Sequence, residues 1–211
     1  MRRGAIILCG GRSSRMGLPK LALPFGPESM LGRIVRLAGE ACESIVVAAA
    51  VEQELPPLPA GVLVARDARP QRGPLEGIAA ALAALPDDVE AAFATGCDVP
   101  LLEPALVRRM FELLGEDAAA VPNSDGFLHP LAAVYRKSLV DVIEVLLATD
   151  RLRAADLFDV VATRRVEESE LRDVDPQLDS LRNVNTPGEY VAALESAGYA
   201  AAPDVLAQLQ V

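Results

Sequence analysis

Short, almost continuous apolar runs alternate with longer amphipathic segments along the first 122 residues of this 211-residue chain. Such runs suit strands that are buried on both faces, and apolar residues recurring every three or four positions suit helices packed against a sheet. Strand and helix in regular alternation are typical of a parallel sheet covered by helices. We therefore predict an α/β fold, with a doubly wound, mostly parallel sheet in three α/β/α layers. The predicted strands are 5–8, 45–50, 62–65, 91–95 and 118–122, and the predicted helices are 30–38, 74–85 and 104–114.

The second half of the chain has a less regular pattern. Here the predicted strands are 129–135 and 160–166, and the predicted helices are 139–148, 151–158 and 188–196. Thr186, just before Pro187, suits the N-cap of the last helix. The acidic stretch 167–180 is predicted to be a surface loop. We expect a single domain over residues 1–198, followed by a loosely docked tail at 199–211.

A glycine-rich, cationic stretch follows the first predicted strand, over residues 8–20 (Leu-Cys-Gly-Gly-Arg-Ser-Ser-Arg-Met-Gly-Leu-Pro-Lys). Gly10 and Gly11 allow a tight turn and a close approach of the backbone to a ligand, and consecutive N–H groups of such a turn bind anions. Residues 1–27 carry five basic and no acidic side chains, although the whole chain has a net charge of −10. A local cationic loop in an acidic protein indicates one specific anionic ligand rather than a general affinity for polyanions.

The composition argues against several classes of protein. A pI near 4.7 is unsuited to binding a phosphate backbone, and 4% aromatic residues without tryptophan offer little surface for stacking single strands. We therefore expect no nucleic-acid partner. The sequence shows neither a signal-peptide pattern nor an apolar segment of membrane-spanning length, so we expect a cytoplasmic protein without a membrane partner. The widely spaced Cys9, Cys42 and Cys97 are predicted to be reduced and buried.

Two aspartates follow predicted strands. Asp98 lies just beyond strand 91–95, in Thr-Gly-Cys-Asp-Val-Pro, and Asp67 follows strand 62–65. Parallel sheets bind ligands outside the carboxyl ends of their strands, so both aspartates should lie at the same edge as the glycine-rich stretch. Asp98 suits Mg²⁺, which takes one or two carboxylates and completes its shell with phosphates and water. The alternative is that Asp98 only orders its loop.

The glycine-rich stretch fits neither of two common phosphate loops. A P-loop has lysine directly after glycine, whereas Gly17 is followed by Leu-Pro-Lys. The dinucleotide fingerprint has a different glycine spacing. The pattern G-G-R-S-S-R-M-G-x-P-K resembles the nucleotidyltransferases that activate small molecules with NTPs, above all the molybdenum cofactor guanylyltransferase (MobA-like) family. The resemblance runs in order over residues 4–196 and implies the Rossmann-like nucleotidyltransferase fold.

The resemblance implies roles for the nucleotide-binding half. Lys20 would neutralise the triphosphate, Arg15 would contact the leaving pyrophosphate, and Asp98 would bind Mg²⁺. An aspartate and a G-P-L-x-G turn also hold the nucleotide in the family, which implicates Asp67 and Gly73. Backbone carbonyls near residues 8–10 could serve as acceptors for guanine. The implied nucleotide-binding set is Leu8, Cys9, Gly10, Gly11, Lys20, Asp67, Gly73 and Asp98, and the implied catalytic set is Arg15, Lys20 and Asp98.

Two further segments resemble the acceptor side of the family. His129 begins an H-P-L strand, and Asn183 and Asn185 lie in R-N-V-N-T-P. Two amides at positions i and i+2 point to the same side of an extended segment, and each offers donors and acceptors suited to a pterin or a phosphate. The alternatives are a structural histidine before proline and turn-forming asparagines.

The implied reaction is Mg²⁺-dependent transfer of GMP from GTP to the phosphate of molybdenum-loaded molybdopterin, with release of pyrophosphate. Proteins that supply molybdopterin, or that mature molybdoenzymes, are the expected partners. Two departures leave alternatives open. Pro19 before Lys20 is more typical of molybdopterin cytidylyltransferases, and residues 50–52 lack an asparagine with which the family often contacts the nucleotide. The alternatives are CTP as donor, a sugar or polyol phosphate as acceptor, and a nucleotide- or cofactor-binding protein without turnover.

Overall fold

The computed structural model describes residues 2–10, 19–67 and 72–209. The strands are β1 Arg2–Leu8, β2 Pro24–Phe25, β3 Glu28–Ser29, β4 Ser44–Ala50, β5 Leu63–Asp67, β6 Val89–Gly96, β7 Ala119–Ser124, β8 Phe127–Leu128, β9 Ala132–Arg136 and β10 Thr163–Glu167. Eight of them form one sheet in the order β10-β7-β9-β6-β1-β4-β5, with β8 paired to β7, and β2 and β3 form a separate hairpin. The helices are α1 Met30–Gly39, α2 Pro74–Ala84, α3 Pro104–Leu114, α4 Val140–Ala148, α5 Ala155–Phe158, α6 Pro187–Ser196 and α7 Pro203–Leu209.

Strand β1 lies in the middle of the sheet, parallel to β4 on one side and to β6 on the other. Leu8 at its carboxyl end is level with Ala48 and Gly96. Strand β9 is antiparallel to both of its neighbours, β6 and β7, and Ala132 at its start pairs with Thr95. The carboxyl ends of β1, β4, β6 and β7 therefore share one edge of the sheet with the start of β9.

Helices cover both faces of the sheet. Ile7 is buried in one layer with the apolar side chains of α1 and α3, and its neighbour Ile6 is buried in the other layer with those of α2 and α4. This alternation follows from the two-residue period of a strand, and it is why a strand covered on both faces is apolar throughout. The predicted doubly wound, mostly parallel α/β/α arrangement is confirmed.

A third apolar cluster joins the segment before α1, and the first residue of that helix, to helices α6 and α7. Phe25 and Met30 pack there with Tyr190 of α6 and with Val205 and Leu209 of α7. The tail that we predicted to be loosely docked thus contains a helix with two buried side chains. Helix α7 was missed because it is short and its apolar residues face a cluster assembled only in the folded chain.

Element boundaries differ from the predictions by a few residues. Asp67 is the last residue of β5, which extends two residues beyond the predicted end at residue 65. The predicted loop at 167–180 begins at the end of β10 and includes two 3₁₀ turns, Glu168–Glu170 and Asp179–Leu181. Strand β9 begins three residues later than predicted, because Asp125 and Gly126 both have positive φ and turn the chain into the short β7–β8 hairpin. Within the described residues, no helix is long and apolar enough to cross a membrane.

Candidate functional site

The chain diverges at the carboxyl ends of β1 and β6. Helix α1 leads from β1 towards β4, whereas α3 leads from β6 towards β7, in the opposite direction along the sheet. Divergent connections of this kind open a crevice where α/β proteins bind ligands. The Cys97 N–H donates to the Leu8 carbonyl at 3.0 Å, and the Cys9 N–H donates to the Ala48 carbonyl at 2.8 Å. Backbone hydrogen bonds therefore join all three strands up to the point where the glycine-rich stretch begins.

The structure describes this stretch in part. Gly10 is exposed just beyond β1. Gly11, predicted to bind the nucleotide, and Arg15, predicted to contact the leaving pyrophosphate, lie outside the described residues, so their roles stay predictions. The description resumes at Pro19, and Lys20 begins a 3₁₀ turn that ends at Ala22.

Lys20 connects the two halves of the predicted site. Its Nζ donates to Asn185 Oδ1 at 2.6 Å and lies 3.3 Å from Asp98 Oδ2. The Lys20 and Asp98 side chains are only 14% and 19% exposed, so water screens their interaction less than that of a surface ion pair. Asp98, from the predicted nucleotide side, and Asn185, from the predicted acceptor side, thus contact the same ammonium group.

Asp98 lies two residues beyond β6, in a loop joined to the segment 183–185. Its carbonyl accepts a hydrogen bond from the Val184 N–H at 2.8 Å, and Asn183 Nδ2 lies 3.4 Å from both carboxylate oxygens. A Cβ added to Gly96 would lie only 2.4 Å from Asp98 Oδ1. The carboxylate therefore occupies space that exists because residue 96 is glycine.

A capping box fixes the segment that carries the two asparagines. Glu189 Oε2 accepts hydrogen bonds from the N–H groups of Asn185 at 2.7 Å and Thr186 at 2.9 Å, and Thr186 Oγ1 accepts from the Glu189 N–H at 3.3 Å. The predicted N-cap at Thr186 is confirmed. The backbone N–H groups of Asn185 and Thr186 hold the pKa of Glu189 below its ordinary value. Charge on Glu189 thus helps to place Asn185 against Lys20.

The arrangement is compatible with an Mg²⁺ ion bound through one carboxylate. Among the residues that the structure describes, no group of three or more His, Cys, Asp or Glu side chains could hold a metal ion. Asp98 offers a single carboxylate at the edge of the crevice, in the space left by Gly96. One carboxylate completed by substrate phosphates and water is a usual environment for Mg²⁺.

His129 lies at the same edge of the sheet, but none of its described hydrogen bonds joins it to the side chains of Lys20, Asp98, Asn183 and Asn185. Its N–H donates to the Pro122 carbonyl at 2.9 Å, and its carbonyl accepts from Ala132, which pairs with the end of β6. Burial lowers the pKa of His129, although the charges of Asp125 and Glu168 oppose this effect. The lowered pKa favours the neutral imidazole, a form that can both donate and accept hydrogen bonds.

The remaining predicted nucleotide residues lie along β5 and α2. The backbone of Asp67 pairs with Ala50 at the ligand edge, while its side chain is outside the described part of the chain. Gly73 has a φ of +77° directly before α2, and a Cβ there would lie 3.0 Å from the Leu152 carbonyl oxygen. The glycine is therefore needed for backbone conformation as well as for space.

Cys9 and Cys97 are both buried, at the ends of the neighbouring strands β1 and β6. A hydrogen bond to Cys97 and burial raise the pKa of Cys9 far above its ordinary value. Cys9 is therefore a neutral thiol at physiological pH, as expected of a packing residue rather than a nucleophile.

Two polar residues at the site were missed by the sequence analysis. Gln53 Nε2 donates to the Cys9 carbonyl at 2.6 Å. Arg33 Nε donates to the carbonyl of Pro100 at 2.6 Å, two residues beyond Asp98. Neither residue lies in a recognisable motif. Each donates to a backbone carbonyl that is distant in the sequence and close only in the folded chain, so no local signal could have identified them.

Comparison with known proteins agrees with this geometry. The chain matches the MobA-like NTP transferase domain over residues 5–165. A protein of Pelotomaculum thermopropionicum named probable molybdenum cofactor guanylyltransferase is 35% identical over 192 residues, which are 89% of this chain and 90% of the relative. One of Carboxydothermus hydrogenoformans with the same name is 34% identical over 190 residues, which are 90% of this chain and 93% of the relative.

Solved structures show the same fold. Molybdopterin-guanine dinucleotide biosynthesis protein A from Archaeoglobus fulgidus superposes with a TM-score of 0.75 at 20% identity, covering 92% of this chain and 98% of that one. The 2-C-methyl-D-erythritol 4-phosphate cytidylyltransferase of Thermus thermophilus superposes with a TM-score of 0.67 at 16% identity, covering 92% and 98%. These likenesses confirm the predicted nucleotidyltransferase fold. The chain therefore belongs to the family of MobA-like NTP transferases, as its sequence predicted.

Proposed function

We propose that this protein is an Mg²⁺-dependent guanylyltransferase that moves GMP from GTP to the terminal phosphate of molybdenum-loaded molybdopterin. The contact of Lys20 with both Asp98 and Asn185 carries the proposal, because it joins the predicted nucleotide side to the predicted acceptor side. The names of the two curated relatives, each aligned over about nine-tenths of this chain, support the choice of substrates.

The proposed reaction is a displacement at phosphorus. An oxygen of the acceptor phosphate forms a bond to the α-phosphorus of GTP, the bond from that phosphorus to the bridging oxygen breaks, and pyrophosphate leaves with the electron pair. Such a reaction needs no covalent intermediate on the protein, because positioning and neutralisation of charge supply most of the catalysis. The neutral thiol of Cys9 is consistent with this.

Each residue around Lys20 has a defined part in the proposal. Lys20 places a positive charge near the triphosphate, and Asn185 holds that ammonium group in position. Asp98 would hold Mg²⁺, which supplies further neutralisation of the triphosphate charge when it is bound, and Asn183 orients the carboxylate. His129 is proposed to contact the acceptor as a neutral hydrogen-bonding group.

Replacing Asp98 with asparagine tests for catalysis. Asp98→Asn removes the charge but keeps the shape, so we expect turnover to fall by about a thousandfold while affinity for the nucleotide is largely kept. Release of pyrophosphate and calorimetric binding of GTP would be measured side by side. A binding protein without turnover would show no pyrophosphate release even before the substitution.

The choice of donor and acceptor is tested with the unaltered protein. Pyrophosphate release would be measured with GTP, CTP, ATP and UTP, each with and without molybdopterin. Release with GTP that depends on molybdopterin is the expected result. Pro19 favours the cytidylyltransferase alternative, which a preference for CTP would establish. Binding without release would point to another acceptor, such as a sugar or polyol phosphate, or to a protein without turnover.

A further inference from the structure

We propose that Gln53 positions the nucleotide base by fixing the carbonyl of Cys9, and so sets the preference for guanine. The inference rests on the proposed function, because it assumes that the base lies at the end of β1. It goes beyond that function in assigning selectivity to a residue outside the glycine-rich stretch. Gln53 lies in the turn after β4, where this chain lacks the asparagine often found in the family.

The Cys9 carbonyl is the first backbone acceptor beyond the sheet. Successive carbonyls along a strand point in opposite directions. The Leu8 carbonyl points towards β6, where it accepts from Cys97, so the Cys9 carbonyl points towards β4. Strand β4 ends at Ala50, and the side chain of Gln53 supplies the donor, at 2.6 Å.

The amide of Gln53 is held at both ends. Its Oε1 accepts from the Ala50 N–H at 3.3 Å while its Nε2 donates to the Cys9 carbonyl. Only Nε2 can donate and only Oε1 can accept, so these two partners define the orientation of the amide. The Gln53 N–H also donates to the Ala50 carbonyl at 3.0 Å, which closes the turn.

Arg66 of β5 braces the same turn from the outside. One guanidinium nitrogen, Nη1, donates to the carbonyls of both Ala50 and Gln53 at 2.8 Å. Residues of β4 and β5, and Cys9 at the end of β1, thus all contact Gln53 or the turn that carries it.

The hydrogen bond from Gln53 to the Cys9 carbonyl affects how that carbonyl can recognise a base. A carbonyl oxygen accepts two hydrogen bonds, so the Cys9 carbonyl can accept from Gln53 and from a ligand together. Guanine presents two neighbouring donors, N1–H and the 2-amino group, whereas adenine and cytosine each present one amino group on that edge. A fixed acceptor discriminates among such edges, and an acceptor that can rotate does so less well.

The test compares nucleotide binding by the full chain and three variants. Gln53→Glu keeps the shape but replaces the donor with a carboxylate that repels the Cys9 carbonyl, and Gln53→Ala removes the side chain. Gln177→Glu, at an exposed position in the loop after β10, makes the same change of charge as a matched control. Affinities for GTP, ATP and CTP would be measured by calorimetry without acceptor, with thermal melting to confirm folding.

We expect both Gln53 variants to bind GTP about tenfold more weakly, the effect of one hydrogen bond, with affinities for ATP and CTP little changed. At saturating GTP their kcat should match that of the unaltered protein. Equal weakening for all three nucleotides, or unchanged binding of GTP, would overturn the inference.

The same measurements separate this inference from the proposed function. If the unaltered protein prefers GTP and Gln53→Glu loses that preference, the inference stands even where GMP is not transferred to molybdopterin. If the unaltered protein binds the three nucleotides equally or prefers CTP, the inference fails while nucleotidyl transfer can still be observed.

Discussion

The position of the Asp98 carboxylate depends on the absence of a side chain at Gly96. A methyl group at residue 96 would lie 2.4 Å from Asp98 Oδ1, well inside van der Waals contact. Gly96→Ala should therefore push the carboxylate aside, and we expect kcat to fall between about ten- and a hundredfold, as for a displacement of about 1 Å in an active site. Steady-state pyrophosphate release would measure this. Gly188→Ala is the control, because nothing lies within 4 Å of the added carbon. A wild-type rate in Gly96→Ala would contradict the proposed position of the Asp98 carboxylate.

Asn185 provides a second test at the same scale. The 2.6 Å hydrogen bond from Lys20 makes this asparagine a holder of the ammonium group as well as a candidate contact for the acceptor. Asn185→Ala should lower kcat at least tenfold and lower the free energy of unfolding by about 1 kcal/mol, the contribution of one hydrogen bond, because Asn185 is half-buried. Asn123→Ala, at the end of β7, is the control. A rise in KM for the acceptor at constant kcat would mean that Asn185 serves the acceptor alone.

At the scale of elements, the start of α6 links stability to pH. The N–H groups of Asn185 and Thr186 favour the charged form of Glu189 and lower its pKa. The stabilisation is fully present above the ordinary pKa of a glutamate, about 4.3, and is lost as the pH falls through the lowered value in the folded state. Glu189→Gln should thus cost about 1 kcal/mol at neutral pH, and little in acid.

Urea unfolding of Glu189→Gln at neutral pH and at about pH 3 would measure this dependence. Glu195→Gln makes the same change of charge at the other end of α6 and should show no such effect. A loss of stability that is independent of pH would assign the cost to packing rather than to the capping charge.

Some of these elements could be predicted from the sequence, and others could not. Buried parallel strands are apolar throughout, so the runs at β1, β4 and β6 identified the sheet and the edge at which Asp98 lies. The less regular pattern of the second half carries no information on strand direction, and the antiparallel insertion of β9 was not predicted. Gln53 and Arg33 are isolated polar residues whose partners are backbone carbonyls far along the chain. Such contacts depend on tertiary structure alone.

At the scale of the whole molecule, the end of the chain is connected to the loop of Asp98. The guanidinium carbon of Arg33 lies 4.8 Å from the centroid of the Phe25 ring and 5.8 Å from that of Tyr199. The same guanidinium donates to the carbonyl of Pro100. Cation–π contact with two rings limits the freedom of Arg33, so residues beyond α6 help to hold the loop that follows β6.

Removal of residues 199–211 tests this connection. The truncated chain loses the ring of Tyr199 and the buried side chains of Val205 and Leu209. Burial of two such aliphatic side chains predicts a loss of about 3 kcal/mol in the free energy of unfolding. Because Arg33 would then contact one ring instead of two, we also expect a lower kcat at temperatures where the truncated protein remains folded.

Urea unfolding and pyrophosphate release would be compared with Gln208→Ala, an exposed change on α7. Unchanged stability would mean that α7 contributes nothing to the third cluster, and unchanged kcat in a destabilised protein would mean that Arg33 holds the loop without the tail.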